Sequence, residues 1–317
     1  MLFVTFHGGN PDKDPHKNNV QAYDKNGNRL TASVLDDNDD IFLNELRGLY
    51  LFGKYLYVVN ANREQNSVLV YEGSGLHYRY VSTFASKQTC IGIFHPFDLT
   101  FDGQDYCYLS SQNTNVVTRF IVSDGGKTGR AAPVAAALPA SGTFLPGTFV
   151  ASSVGNLPPR ATTPVKPPCG LQYSGPNAAT DKKHSVRGVL WADGHLYVVD
   201  QPAGTVKVYD ITGKYMGQSN VVETPVHVVA HNHTLYVSGA DMVLHGKIPS
   251  PAGDFILSPL PGVKVKNCSG MAFSKSGNFY VASRTDQKIH KFDSNFRPVD
   301  FNCELHDDPE FLLYIDR

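Results

Sequence analysis

The chain has 317 residues, of which 41% are apolar and 18% charged, with a formal net charge of -1. That composition supports a sizeable core and excludes the basic surface of a general nucleic-acid or anionic-membrane binder. No apolar run approaches the roughly 18 residues of a membrane span.

The N-terminal stretch MLFVTFHGGN lacks the basic and long apolar regions of a signal peptide. The five cysteines (Cys90, Cys107, Cys169, Cys268 and Cys303) form no CxxC pair. Reduced thiols in a cytoplasmic, monomeric protein are the expectation, although a secreted chain without its leader reads the same.

One unit recurs along the chain, clearest in VRGVLWADGHLYVVDQPAGTVKVYD from Val186. It reads as strand, Asp-Gly turn, strand, polar loop, strand. Its second strand recurs as LFVTF from Leu2, LYVVN from Leu56, CYLSS from Cys107, LYVVD from Leu196, LYVSG from Leu235 and FYVAS from Phe279, mostly at gaps of 39 to 54 residues. Such a unit cannot bury both its faces alone, so the copies must stack, and the spacing is that of propeller blades. First strands precede in ELRGLYL, PFDLTFD, VRGVLWA, PVHVVAH and CSGMAFS. The copy at Leu2 lacks one, while the chain ends in DDPEFLLYIDR, whose FLLYI run is an unassigned strand. Pairing that run beside Leu2–Phe6 closes a ring and leaves no open sheet edge. The reading is an all-β, six-bladed propeller over residues 1–317, with seven blades as the alternative. The 89-residue gap between Cys107 and Leu196 decides the count. Its proline-rich VGNLPPRATTPVKPP suits no central strand, so residues 139–183 read as an insert covering the central mouth, with GTFVASS as an outer strand.

In such a ring, blade openings, second-strand ends and blade-to-blade loops converge on one face. The openings bring Glu45, Arg47, His95, Asp98, His184, Arg187, His227 and Ser269, and the second-strand ends bring His7, Asn60, Gln112, Asp200 and Arg284. Arg47 and Arg187 hold matching positions and are suited to a carboxylate or enolate-like oxyanion, or else tie neighbouring blades together. His95 and His227 read as general bases, as metal ligands, or as structural histidines. A bound divalent metal would need a third ligand, with His7 and His184 the candidates. The assignment is catalytic roles for His95, Asp98, His227, Arg47 and Arg187. Substrate contacts come from Glu45, His7, Asn60, His184, Asp200, Arg284 and Tyr173 of the insert. The acidic run from Asp36 lacks the glycine and glutamate of a calcium loop. Nucleophile-elbow, HExxH, P-loop and dinucleotide motifs are absent from the sequence.

These repeats resemble six-bladed propellers of the NHL-repeat type, with the SMP-30-like, strictosidine-synthase-like and streptogramin-lyase-like proteins as related shapes. His95-Pro96-Phe97-Asp98-Leu99 is also similar to the His-Pro-Thr-Asp-Val blade opening of the peptidylglycine-amidating lyase propeller. That resemblance implies a metal-binding role for His95. The expected function is an enzyme of lyase, isomerase or hydrolase type acting on a small anionic molecule in the mouth. Proton transfer falls to histidine and aspartate. The alternative is a non-catalytic propeller that binds a protein or glycan.

Overall fold

A computed structural model describes residues 1–6, 18–36, 41–62, 64–155, 157, 162–176, 183–303, 305 and 307–316. Six antiparallel sheets form the blades. Blade 1 joins both ends of the chain: its innermost strand is Pro309–Tyr314, followed outward by Leu2–Phe6, Gln21–Tyr23 and Arg29–Thr31. The innermost strands of blades 2 to 6 are Leu46–Phe52, Pro96–Phe101, Val186–Ala192, Val228–His231 and Cys268–Phe273. Each touches the next, and Pro309–Tyr314 touches both Leu46–Phe52 and Cys268–Phe273, so the ring is closed. Leu2 pairs with Tyr314 and Val4 with Leu312, the closure that the FLLYI run calls for.

Two sequence features explain the blades. Asp193-Gly194 turns the hairpin of blade 4 with positive φ at both residues (47° and 77°), the conformation a tight hairpin needs and glycine supplies without strain. Second-strand aromatics fill the seams between blades. Tyr57 packs on Phe101, Tyr236 on Phe273, and Tyr108 and Tyr280 stack on Trp191 and Tyr314 of the following blades. Each such pair adds about 0.5–1.5 kcal/mol beyond its buried area.

The described part of the insert is fastened down rather than looped free. Thr148–Val150 pairs with the third strand of blade 3, Val116–Ser123, as the outer strand that GTFVASS suggests. Further on, the Asn115 amide donates to Ser152 Oγ and to the Gln172 carbonyl (both 3.1 Å). Lys207 Nζ and Tyr209 Oη donate to the carbonyls of Gly170 (2.6 Å) and Cys169 (2.9 Å). The described part of the insert therefore runs along the seam between blades 3 and 4.

The innermost strands share one irregularity. Their register shifts between Leu46 and Leu49, Pro96 and Leu99, Val186 and Val189, and Cys268 and Met271. A bulge re-aims side chains that a regular strand would send to opposite faces. Here it sets two consecutive residues of each blade around the axis: Arg47-Gly48, Phe97-Asp98, Arg187-Gly188, Val226-His227, Ser269-Gly270 and Glu310-Phe311. Glycine alternates with a large residue at the second of these positions, for a steric reason. A Cβ on Gly48 would lie 2.8 Å from Asp98 Oδ1, one on Gly188 3.0 Å from His227 Cα, and one on Gly270 2.6 Å from Phe311 Cα. Three glycines thus make room for Asp98, His227 and Phe311.

Candidate functional site

The first residue of each bulge builds the mouth. Glu310 is fully buried and accepts from two guanidiniums, Arg47 on Oε1 and Arg284 on Oε2. Arg47 also lies 3.7 Å from Glu45, whose Oε2 is 3.1 Å from His95 Nε2. A continuous chain of charge, His95–Glu45–Arg47–Glu310–Arg284, thus passes through blades 3, 2, 1 and 6.

Arg187 of blade 4 stands apart from that chain. Its Nε donates to Gln201 Oε1 (2.9 Å) and its guanidinium lies over the Phe97 ring, 5.1 Å from the centroid. Among the described residues no carboxylate lies within ion-pair distance of it. Burial works against its charge, as do the guanidiniums of Arg284 and Arg47, while Glu310 favours it. Among the described residues Arg187 is thus the least compensated of the three arginines. His95 stands two residues before the Phe97 ring on which Arg187 rests.

Glu45 and His95 both have positive φ (51° and 55°), but so do Thr224 and Asn267 at the same place in blades 5 and 6. The strained conformation is how the chain enters an innermost strand, repeated around the ring. It is no mark of a reactive residue.

The second residue of each bulge builds a separate tier. Asp98 is buried and accepts from the N–H groups of Leu99 (2.8 Å, Oδ1) and Val189 (3.0 Å, Oδ2). His227 Nδ1 accepts from the Met271 N–H (3.1 Å), which leaves the proton of the neutral ring on Nε2, facing Asp98 Oδ2 at 3.8 Å. Burial pushes Asp98 up to about 7 and His227 down to about 3. Phe97, Val226 and Phe311 form one apolar cluster, with Phe311 edge-on to His227. Asp98 and His227 line a cavity of about 580 Å³ that also includes His231, Asn232 and Lys275 of the hairpin turns, on the face opposite the mouth. This corrects the placement of all five catalytic candidates in one mouth. Arg47, Arg187 and His95 share it, whereas Asp98 and His227 open to the other side.

The remaining candidates divide similarly. Arg284 belongs to the mouth through Glu310. Asn60 is fully buried and holds the loop before blade 2, accepting from Asn44 N–H and donating to the Phe42 carbonyl. Asp200 is fully buried, paired with Lys207 (2.7 Å), and accepts from Gln172 N–H, so it clasps the insert. These two polar groups hold loops in place. Tyr173 is half-buried just past that clasp, and burial raises its phenol. Lys183–His184 pairs with Gly175–Pro176, and the His184 side chain and His7 lie outside the described residues. Glu310 and Gln201 escape a reading of the sequence, although Glu310 occupies in PEFL the register of Arg47 in LRGL and Arg187 in VRGV.

The metal reading finds little support in the donors. His227 is occupied at Nδ1 and faces Asp98 with Nε2, while His95 is engaged by Glu45, on the other tier. Among the described residues no three His, Cys, Asp or Glu side chains group to hold an ion. The residues do not fit a metal joined to both His95 and His227, and no step is routed through one.

The burial of His227 has a consequence for stability against pH. Its folded-state value lies below the ordinary imidazole value of 6.5, so folding expels a proton wherever the unfolded ring is charged. The stability present above about pH 6.5 is therefore lost as pH falls toward 3. His227→Phe removes this loss along with the Met271 hydrogen bond. Urea unfolding at pH 7.5 and 4.5 should show the variant less stable at the higher pH. The deficit should shrink by about 1 kcal/mol or more at the lower pH, because a tenfold difference in proton affinity between folded and unfolded chain is worth about 1.4 kcal/mol. An equal deficit at both values would contradict the burial of a neutral ring.

No protein-family profile matches the chain, and no curated protein matches it either. Solved structures do. A putative 6-phosphogluconolactonase from Bacteroides fragilis is similar over 99% of this chain and 97% of that one, at 13% identity and a TM-score of 0.58. A structure of a nidogen/laminin complex is similar over 98% and 96%, at 11% identity and a TM-score of 0.59. The chain is a six-bladed β-propeller. A streptogramin B lyase is similar over 84% of this propeller and 72% of its own chain, at 9% identity and a TM-score of 0.50. At these identities the likeness is one of fold alone.

Proposed function

We propose that the propeller is an enzyme that binds a small organic carboxylate in its mouth and moves a proton on it, in a lyase or isomerase reaction. The observation that carries this reading is Arg187, a guanidinium without a carboxylate partner among the described residues, beside two further arginines. A planar fork of that kind takes a carboxylate through two parallel hydrogen bonds. It would also stabilise the enolate-like charge that builds up when a neighbouring C–H is deprotonated. His95 is the proton acceptor: its ring is held and oriented by Glu45, whose Oε2 lies 3.1 Å from Nε2. The lactonase and lyase names among similar propellers agree with an enzyme without specifying its reaction or its site.

The test is deuterium uptake from D2O by a panel of small 2- and 3-hydroxy carboxylates, followed by proton NMR. Uptake or turnover by the wild-type protein should be abolished in Arg187→Met and His95→Gln and persist in His227→Phe. Carboxylates that bind at the mouth without exchange or turnover would favour a non-catalytic binding propeller. Activity retained in both mouth variants would overturn the assignment.

A further inference from the structure

The cavity on the hairpin-turn face is absorbed by neither reading of the mouth. Its walls include Leu49, Leu99, Val189, Val228, Met271 and Leu312, one residue from each blade directly after the bulge and each packed into a different seam, an apolar collar that Thr100, Lys275 and Asp316 join in the lining. Above the collar stand Asp98, His227 and Phe311. Its volume of about 580 Å³ suits a small organic molecule, since ligand pockets are roughly 300–1,000 Å³.

The acceptor at His227 Nδ1 is used by the Met271 N–H, so Nε2 carries the proton. The acceptor it faces, Asp98 Oδ2, is 3.8 Å away, beyond hydrogen-bond range. Asp98 Oδ2 takes one N–H, from Val189, and a carboxylate oxygen has a further lone pair. A donor and an acceptor thus face the same cavity, a short gap apart. One hydroxyl satisfies both, donating to Oδ2 and accepting from Nε2–H. An ether oxygen serves only the second, a carboxylate likewise has no proton to donate to Oδ2, and an ammonium offers no acceptor to the imidazole N–H.

We infer that the face opposite the mouth holds a second ligand site, which takes a small uncharged alcohol with an apolar body, its hydroxyl seated between Asp98 and His227. The apolar body fills the collar, and the Phe97–Val226–Phe311 cluster separates this site from the arginines. The site stands independently of the proton transfer proposed for His95.

Cyclohexanol is the probe, with methoxycyclohexane as its matched ether, titrated into the full chain and followed by 15N-edited spectra of the histidine rings. Cyclohexanol should move the His227 Nε2 resonance saturably, with the ether at least tenfold weaker. Affinity for cyclohexanol should fall at least tenfold in His227→Phe, and malonate, a probe for the mouth, should not compete. An ether that binds as tightly, an unmoved His227 resonance, or displacement by malonate overturns the inference. The first two outcomes are read on the wild-type protein, so the test survives a variant that fails to fold. Loss of malonate binding with cyclohexanol binding intact would count against the mouth reading alone.

Discussion

Replacing Glu310 by glutamine should destabilise the propeller by about 3–5 kcal/mol, the cost of breaking a buried ion pair by removing one partner. Glu310 is the fully buried anion between Arg47 and Arg284, and it holds the C-terminal strand to blades 2 and 6 at the point where the ring closes. The glutamine keeps the volume and loses the charge. Two guanidiniums are then left facing each other near a third, Arg187, which already feels both. Equilibrium urea unfolding at neutral pH reads the effect as a lowered midpoint with an unchanged slope. Arg284→Gln in the same background removes one of the stranded cations and should recover part of the loss, since residues of one network do not act additively. A change below about 0.5 kcal/mol in Glu310→Gln, the scale of an ordinary surface substitution, would mean that the pairs do not anchor the closure.

Arg187→Met should lower affinity for malonate at least tenfold, about 1.4 kcal/mol, while the fold is kept. Arg187 is half-buried, with Gln201 and the Phe97 ring as its described contacts. Methionine keeps the packing of the stem on the ring and removes only the charged fork. Calorimetric titration at fixed ionic strength measures the loss. Binding by the wild-type protein should also weaken as salt is raised, because part of the attraction is the summed field of the arginines. Equal affinities in the two proteins would place any anion site elsewhere.

Much of this architecture is written in the chain. The second-strand repeats give the blades, and FLLYI gives the closure, because a strand with no partner in its own unit can only complete the first. The mouth is partly legible too, since Arg47 and Arg187 recur at one register. What the pattern hides is the bulge. In a regular strand successive residues face opposite ways, so reading along PFDL or PVHV does not reveal that neighbouring residues both reach the axis on different tiers. For that reason the sequence groups Asp98 and His227 with the arginines, and the fold separates them. Glu310 is hidden differently. Its partner Arg47 is 263 residues away in sequence, and only ring closure brings the two together. Asn60 and Asp200 resemble ligand-binding groups in sequence, but buried polar groups seek partners inside the protein, and theirs include backbone groups, Gln65 and Lys207.

Anions are proposed to enter on the His95 face and not on the His227 face. The most direct measurement is a malonate titration of the wild-type protein, followed through the histidine ring resonances. Entry at the mouth should shift His95 along a single saturating curve while His227, shielded behind Phe97, Val226 and Phe311, stays where it is. Saturating shifts at His227 with His95 unmoved, or no saturable shift at either ring, would contradict it.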